Sequence, residues 1–152
     1  MATIEKSIDT LNDLIEINND RTAGFEKAIA DIKDPNTDLK SIFQEYANQS
    51  RSFSQELAAI VSREGGDAES GTSPSGSMHR AWIDVKSLFG AGDREGILNE
   101  AERGEDAIKR AYSDALRDGR LSNDARSQVS AQATQINAAH DRIRALRDAS
   151  KS

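Results

Sequence analysis

Apolar residues recur every three or four positions along four long stretches of this sequence, the spacing that places them on one face of an α-helix. The stretches cover residues 3–33, 35–64, 93–118 and 122–148. Glycines that can end a helix follow the second stretch at Gly65 and the third at Gly119. The pattern therefore predicts an all-α protein with four main helices.

The lengths of the connections predict how these helices are arranged. The first and second helices, and the third and fourth, are separated by only a few residues, so each pair should form an antiparallel hairpin. A long connection with a short helix at 74–89 separates the hairpins and can run the length of the bundle. The sequence predicts a single domain, residues 1–152, with the ferritin-like topology of one long crossover.

Composition narrows the classes of partner. The 152 residues carry a net charge of -6 and no block of basic residues, which argues against nucleic-acid binding. No stretch reaches the ~20 apolar residues needed to span a membrane, and the first residues do not resemble a signal peptide. Cysteine is absent from the sequence, so a reducing compartment is compatible. We expect a cytoplasmic protein that binds neither nucleic acid nor membranes.

Each apolar stripe is interrupted near its middle by polar residues. In the predicted bundle Asn18, Ser50 and Glu105 fall at a similar height, with Gln132 or Thr134 nearby on the fourth helix. One interpretation is a hydrogen-bonded polar layer that sets the register of the helices. The other is a metal or small-ligand site, because helical bundles place such sites in their cores.

The dinuclear iron site of ferritin-like bundles requires Glu-x-x-His pairs. The residue three before His140 is Asn137, and the residue three before His79 is Gly76, so both histidines fail this test. Phosphate-binding loops and a serine triad are also not evident. The sequence predicts no catalytic residues, no cofactor and no enzyme activity.

A simpler metal site is an alternative interpretation. Glu26, Glu100 and His140 lie at comparable heights, and Glu105 belongs to the polar layer, so these four residues are candidate ligands for iron or manganese. The competing interpretation of His140 is a packed histidine that pairs with Asp141.

The segment from Met78 to Val85 combines His79, Arg80 and the only tryptophan, Trp82. Tryptophan and arginine are enriched at binding hot spots, so these three residues form a candidate partner-binding patch. Alternatively, Trp82 packs the short helix against the bundle.

Four strings, spread along nearly the whole chain, carry a resemblance. They are LNDLIEINNDRTAGFEKA from Leu11, HRAWIDVKS from His79, REGILNEAERGEDAIKRAYSDAL from Arg94, and AAHDRIRALRD from Ala138. Together they resemble an uncharacterised bacterial family, a domain of unknown function grouped with ferritin-like four-helix bundles. The resemblance implies a ferritin-like fold in a bacterial cytoplasmic protein, with an association with stress responses. It implies no specific activity.

These observations leave three hypotheses for function. The first is a nonenzymatic bundle that acts through protein contacts, most simply as a homo-oligomer. The second is a divergent ferritin-like protein that binds metal in the bundle core. The third is a ligand-binding or partner-binding module built around His79 and Trp82.

Overall fold

A computed structural model describes residues 3–32, 36–69 and 94–150. It contains four α-helices: α1 (Ile4–Asp31), α2 (Thr37–Arg63), α3 (Arg94–Arg117) and α4 (Asn123–Ser150). None of their ends lies more than two residues from its predicted position. The described residues contain no strand, so the predicted all-helical bundle of four helices is confirmed. The predicted helix at 74–89, with His79, Arg80 and Trp82, lies outside the described residues.

The ends of the helices follow the local chemistry of the sequence. The hydroxyls of Thr3 and Ser122 each accept a hydrogen bond of 3.2 Å from the backbone N–H three residues later, which caps the first turns of α1 and α4. Gly65 and Gly119 have φ angles of 89° and 67°, the left-handed conformation that ends α2 and α3. Both glycine stops occur where the sequence predicts them.

Each helix packs against two neighbours. The α1 helix contacts α2 and α3, and α4 contacts α3 and α2, so the helices occupy the corners of a square with α2 diagonal to α3. Arg94, at the start of α3, donates hydrogen bonds of 2.9 and 2.8 Å to the two carboxylate oxygens of Asp38, near the start of α2. The diagonal helices α2 and α3 therefore begin at the same end of the bundle and run in the same direction.

The apolar stripes meet along the bundle axis. Phe25 contributes to an aromatic cluster in which its ring centroid lies 5.0 Å from that of Phe43 and 5.8 Å from that of Tyr46. Burying one such side chain stabilises a fold by ~1.5–3 kcal/mol. Among the described residues, Ile4 is the only large apolar side chain that is exposed. None of the four helices is long and apolar enough to cross a membrane.

Candidate functional site

A buried ion pair lies at the centre of the bundle. The side chains of Arg21 on α1 and Glu105 on α3 are both fully buried. Two parallel hydrogen bonds join them, from Nε to Oε1 at 2.7 Å and from Nη2 to Oε2 at 2.8 Å. The remaining guanidinium nitrogen, Nη1, donates to Gln49 Oε1 and Ser50 Oγ on α2, each at 2.9 Å. All three guanidinium nitrogens thus have polar partners in the bundle interior.

The guanidinium of Arg21 also contacts aromatic rings. Its Cζ atom lies 5.4 Å from the ring centroids of both Phe25 and Tyr46, within the range of a cation–π interaction. A buried charge is costly unless a paired group and hydrogen bonds compensate for the lost water. The carboxylate, the polar partners on α2 and the two rings together provide that compensation.

Hydrogen bonds extend from this ion pair across the bundle to α4. Ser50 Oγ donates to Asn18 Oδ1 at 2.9 Å, and Asn18 Nδ2 donates to the hydroxyl of Tyr112 at 2.8 Å. That hydroxyl donates to Gln132 Oε1 at 2.6 Å, and Gln132 Nε2 donates to Glu56 Oε1 at 2.9 Å. Burial raises the pKa of Tyr112, which keeps its hydroxyl proton available as a donor at neutral pH.

The structure confirms most of the polar layer that the interrupted stripes predict. Four of the predicted members are buried and hydrogen-bonded to one another through this network: Asn18, Ser50, Glu105 and Gln132. Thr134 is instead exposed and donates to a carbonyl of its own helix. Sequence reasoning missed Arg21, the cation of the layer. Its signal was its position three residues after Asn18, on the same face of α1.

The layer does not fit a dinuclear metal site. Such a site in a helical bundle requires several carboxylates and histidines that project inward. Glu105 is the fully buried carboxylate of the layer, and both of its oxygens accept hydrogen bonds from Arg21. The guanidinium therefore occupies the position at which a metal would have to meet Glu105.

A second charged cluster lies between α3 and α4. Glu102 and Asp106 are four residues apart on α3 and so project from the same face of that helix. His140 on α4 is 5% exposed, and its Nε2 lies 2.5 Å from Asp106 Oδ1 and 3.8 Å from Glu102 Oε1. We call Glu102, Asp106 and His140 the rim cluster. One ligand atom from each of its members lies within 4.8 Å of the other two.

Two charged residues of α4 contact the outer side of the rim cluster. The carboxylate of Asp141 lies 3.2 Å from Nδ1 of His140, the ring nitrogen that faces away from the cluster. Arg147 donates a hydrogen bond to Oε2 of Glu102, which leaves Oε1 on the side of His140. Both contacts restrict the orientation of a potential metal ligand.

The four residues considered from the sequence as metal ligands are distributed over different environments. Glu26 forms an exposed ion pair of 2.8 Å with an arginine of α2. Glu100 lies 3.2 Å from an arginine one turn further along α3, and Glu105 belongs to the buried ion pair. Only His140 belongs to the rim cluster, which is the one group of three potential metal ligands among the described residues.

Comparison with known proteins identifies the family of this chain. No curated protein matches the chain. The family model described as "Domain of unknown function (DUF2383)" matches residues 6–118, which include α2, α3 and all but the first two residues of α1. Arg21 and Glu105 lie within the matched region, whereas Gln132 and His140 on α4 follow it. Because the match covers most of the sequence, the chain belongs to the DUF2383 family of unknown function.

Proposed function

We propose that this protein is a nonenzymatic, ferritin-like helical bundle that acts through protein contacts, with a second copy of itself as the first candidate partner. The observation that carries this proposal is the buried pair of Arg21 and Glu105. In ferritin-like metalloproteins the bundle centre holds metal ligands, whereas here a guanidinium with a bidentate carboxylate fills it. We therefore assign the protein contacts to the outer surface of the bundle.

The ferritin-like topology is supported by the direction of the helices. Because α2 and α3 begin at the same end of the bundle, the chain must return along the whole length of α2 before α3 begins. For the 27 residues of α2 this distance is about 40 Å, at ~1.5 Å per residue. A single long crossover is the connection that ferritin-like bundles use for this purpose.

The position of the contact surface is inferred from where the apolar side chains lie. Among the described residues Ile4 alone offers an exposed large apolar side chain, so the described helices provide little apolar area for docking. The sequence between α2 and α3 contains further large apolar residues, including Trp82. We assign the contact to that segment, around His79, Arg80 and Trp82. A bacterial source and a role in stress responses rest on the family resemblance alone, whereas the cytoplasmic location is also the expectation from the composition of the sequence.

The first test is the mass of the untagged protein in solution, measured by light scattering after gel filtration at several concentrations. We expect a multiple of the chain mass for the wild type and dissociation in Trp82→Ala. Ile4→Ala, which shortens an exposed apolar side chain elsewhere, serves as the control and should leave the mass unchanged. Thermal melting must remain cooperative in both variants.

A wild type that is monomeric at every concentration would contradict self-association. Association that persists in Trp82→Ala would place the contact on another surface.

The alternative is a divergent metalloprotein with iron or manganese in the bundle core. Elemental analysis of the untagged protein, before and after incubation with iron, distinguishes the two proposals. Stoichiometric metal that is lost in Glu105→Gln would support the alternative and overturn the first proposal. The bidentate contact between Glu105 and Arg21 argues against this outcome.

A further inference from the structure

The rim cluster provides the ligand types of a transition-metal site. Two carboxylates from adjacent turns of α3 and one imidazole from α4 face a common point, and their potential ligand atoms lie within 4.8 Å of one another. Zinc bonds to such atoms are about 2.0–2.2 Å long, so ligand atoms around one ion lie roughly 3–3.5 Å apart. His140 Nε2 lies 2.5 Å from Asp106 Oδ1, which is shorter than that separation, and 3.8 Å from Glu102 Oε1, which is longer. Small side-chain movements suffice to surround an ion.

The orientation of His140 is a second, independent observation that indicates a metal ligand. Metal-binding histidines generally donate their second ring N–H to a carboxylate or carbonyl, which fixes the tautomer and directs the other nitrogen at the metal. Asp141 lies 3.2 Å from Nδ1 and provides that carboxylate, while Nε2 faces Glu102 and Asp106. The ring is 95% buried, since its exposed fraction is 5%, and burial restricts its rotation.

The carboxylate of Glu102 is also held in its orientation by a neighbouring side chain. Arg147 donates to Oε2 of Glu102, so Oε1 remains on the side of His140. Hydrogen bonds to a ligating carboxylate are a common part of the outer shell of metal sites. The contacts from Asp141 and Arg147 therefore give two of the three potential ligands an outer partner.

We propose that Glu102, Asp106 and His140 bind one divalent transition-metal ion, of the class that accepts imidazole and carboxylate ligands together, such as Zn²⁺ or Co²⁺. Three protein ligands leave at least one coordination position for water or for a ligand from solution. The site lies at the edge of α3 and α4 and does not involve the buried pair of Arg21 and Glu105. It is independent of the proposed self-association.

The test consists of two titrations of the untagged protein. Binding of Co²⁺ is measured by the visible absorption of the bound ion, and binding of Zn²⁺ is measured by calorimetry. We expect one ion per chain. Asp106→Asn should lower the affinity at least ~10-fold, as even outer-shell changes do at protein metal sites. Asp114→Asn is the matched control, because it makes the same change two turns further along α3 at a similarly exposed side chain. The control should bind like the wild type.

A second variant tests the role assigned to Asp141 without changing a ligand. Asp141→Asn should lower the affinity by ~10–100-fold while the stoichiometry remains one ion per chain. Because the Asp141 side chain is exposed, the substitution should leave the fold intact, and circular dichroism checks this directly.

Two results would overturn the proposal. One is the failure of the wild type to bind either ion at one per chain. The other is equal affinity in Asp106→Asn and Asp114→Asn, which would show that the ions bind adventitiously to acidic groups on the surface. Neither result would affect the oligomeric state, so failure of this proposal is distinct from failure of the proposed function.

Discussion

Glu105 and Asp106 are consecutive residues of α3 with opposite environments. Glu105 faces the bundle axis, is fully buried and forms two hydrogen bonds with Arg21. The side chain of Asp106 is 53% exposed and faces His140. One step along a helix rotates the side chain by about 100°, which here separates a structural carboxylate from a potential metal ligand. The comparison shows that the side chain that each carboxylate faces, more than the acidic residue itself, determines which role is available.

The largest effect should come from removing the cation of the buried pair. Arg21→Met leaves the Glu105 carboxylate buried without a partner, and we expect a loss of about 3–5 kcal/mol in the free energy of unfolding. Urea denaturation followed by circular dichroism measures this quantity.

The double variant Arg21→Met/Glu105→Leu is the control for that prediction. Replacing both members of a buried ion pair by apolar residues is often nearly neutral, so the double variant should recover much of the stability lost in the single one. A single variant as stable as the wild type would show that the pair is not the critical contact at the bundle centre.

The next largest effect should come from removing the Tyr112 hydroxyl, which lies in the hydrogen-bond network between the buried pair and α4. Tyr112→Phe removes the hydroxyl that joins Asn18 to Gln132 and leaves both amides without that partner. We expect a loss of about 1–3 kcal/mol in urea denaturation. Tyr46→Phe is the matched control, because the Tyr46 hydroxyl makes only a 3.5 Å contact with an arginine. Equal losses in the two variants would contradict a special role for Tyr112.

A small effect is expected from changing Asp106, the exposed carboxylate of the two. Asp106→Asn retains the size of the side chain and removes a charge that is half exposed, so the free energy of unfolding should change by less than about 1 kcal/mol. The measurement is urea denaturation in metal-free buffer, beside Glu105→Gln. If Asp106→Asn is the more destabilising of the two, the assignment of Glu105 as the structural residue is wrong.

The smallest effect should be opposite in sign and concerns Glu16, a buried carboxylate whose charge is opposed by neighbouring acidic groups. Burial, and then the negative charges of Glu69, Asp13 and Asp20, raise the pKa of Glu16 above its ordinary value of 4.5. A raised pKa in the folded state means that ionisation of Glu16 costs stability as the pH rises through that pKa. Glu16→Gln should therefore slightly stabilise the protein at neutral pH.

The pH dependence provides the check on Glu16. Below pH 4.5, the ordinary value, Glu16 is protonated in both the folded and unfolded states, so the gain in Glu16→Gln should disappear there. Glu5→Gln, at an exposed position of the same helix, is the control. A gain that is independent of pH would exclude ionisation of Glu16 as its cause.

The helices and the polar layer could be predicted from the sequence for the same reason. A polar residue in a regular apolar stripe must find a partner in the core, so the interruptions at Asn18, Ser50 and Glu105 indicated a buried layer. Arg21 could not be identified in this way, because long basic side chains usually remain at the surface. Its spacing from Asn18 placed it on the same face of α1, but its role as the partner of Glu105 depends on how α1 packs against α3.

The rim cluster was harder to predict because it depends on rotation as well as height. His140 was considered as a metal ligand from the sequence, but its proposed neighbours were chosen by their height in the bundle. Glu100 lies two residues before Glu102, which corresponds to a rotation of about 200° around α3. The structure shows that Glu102 and Asp106, rather than Glu100, face α4 at the position of His140.

The hydrogen bonds of the polar layer also determine how the bundle opens. Arg21 and Ser50 belong to the first hairpin, and Glu105 and Gln132 belong to the second, so the layer connects two units that could otherwise separate independently. Separating the two hairpins would leave Arg21 in one and Glu105 in the other, each without its charged partner. Amide protons in both hairpins should therefore exchange with solvent at rates set by global unfolding, and the two halves behave as a single cooperative unit.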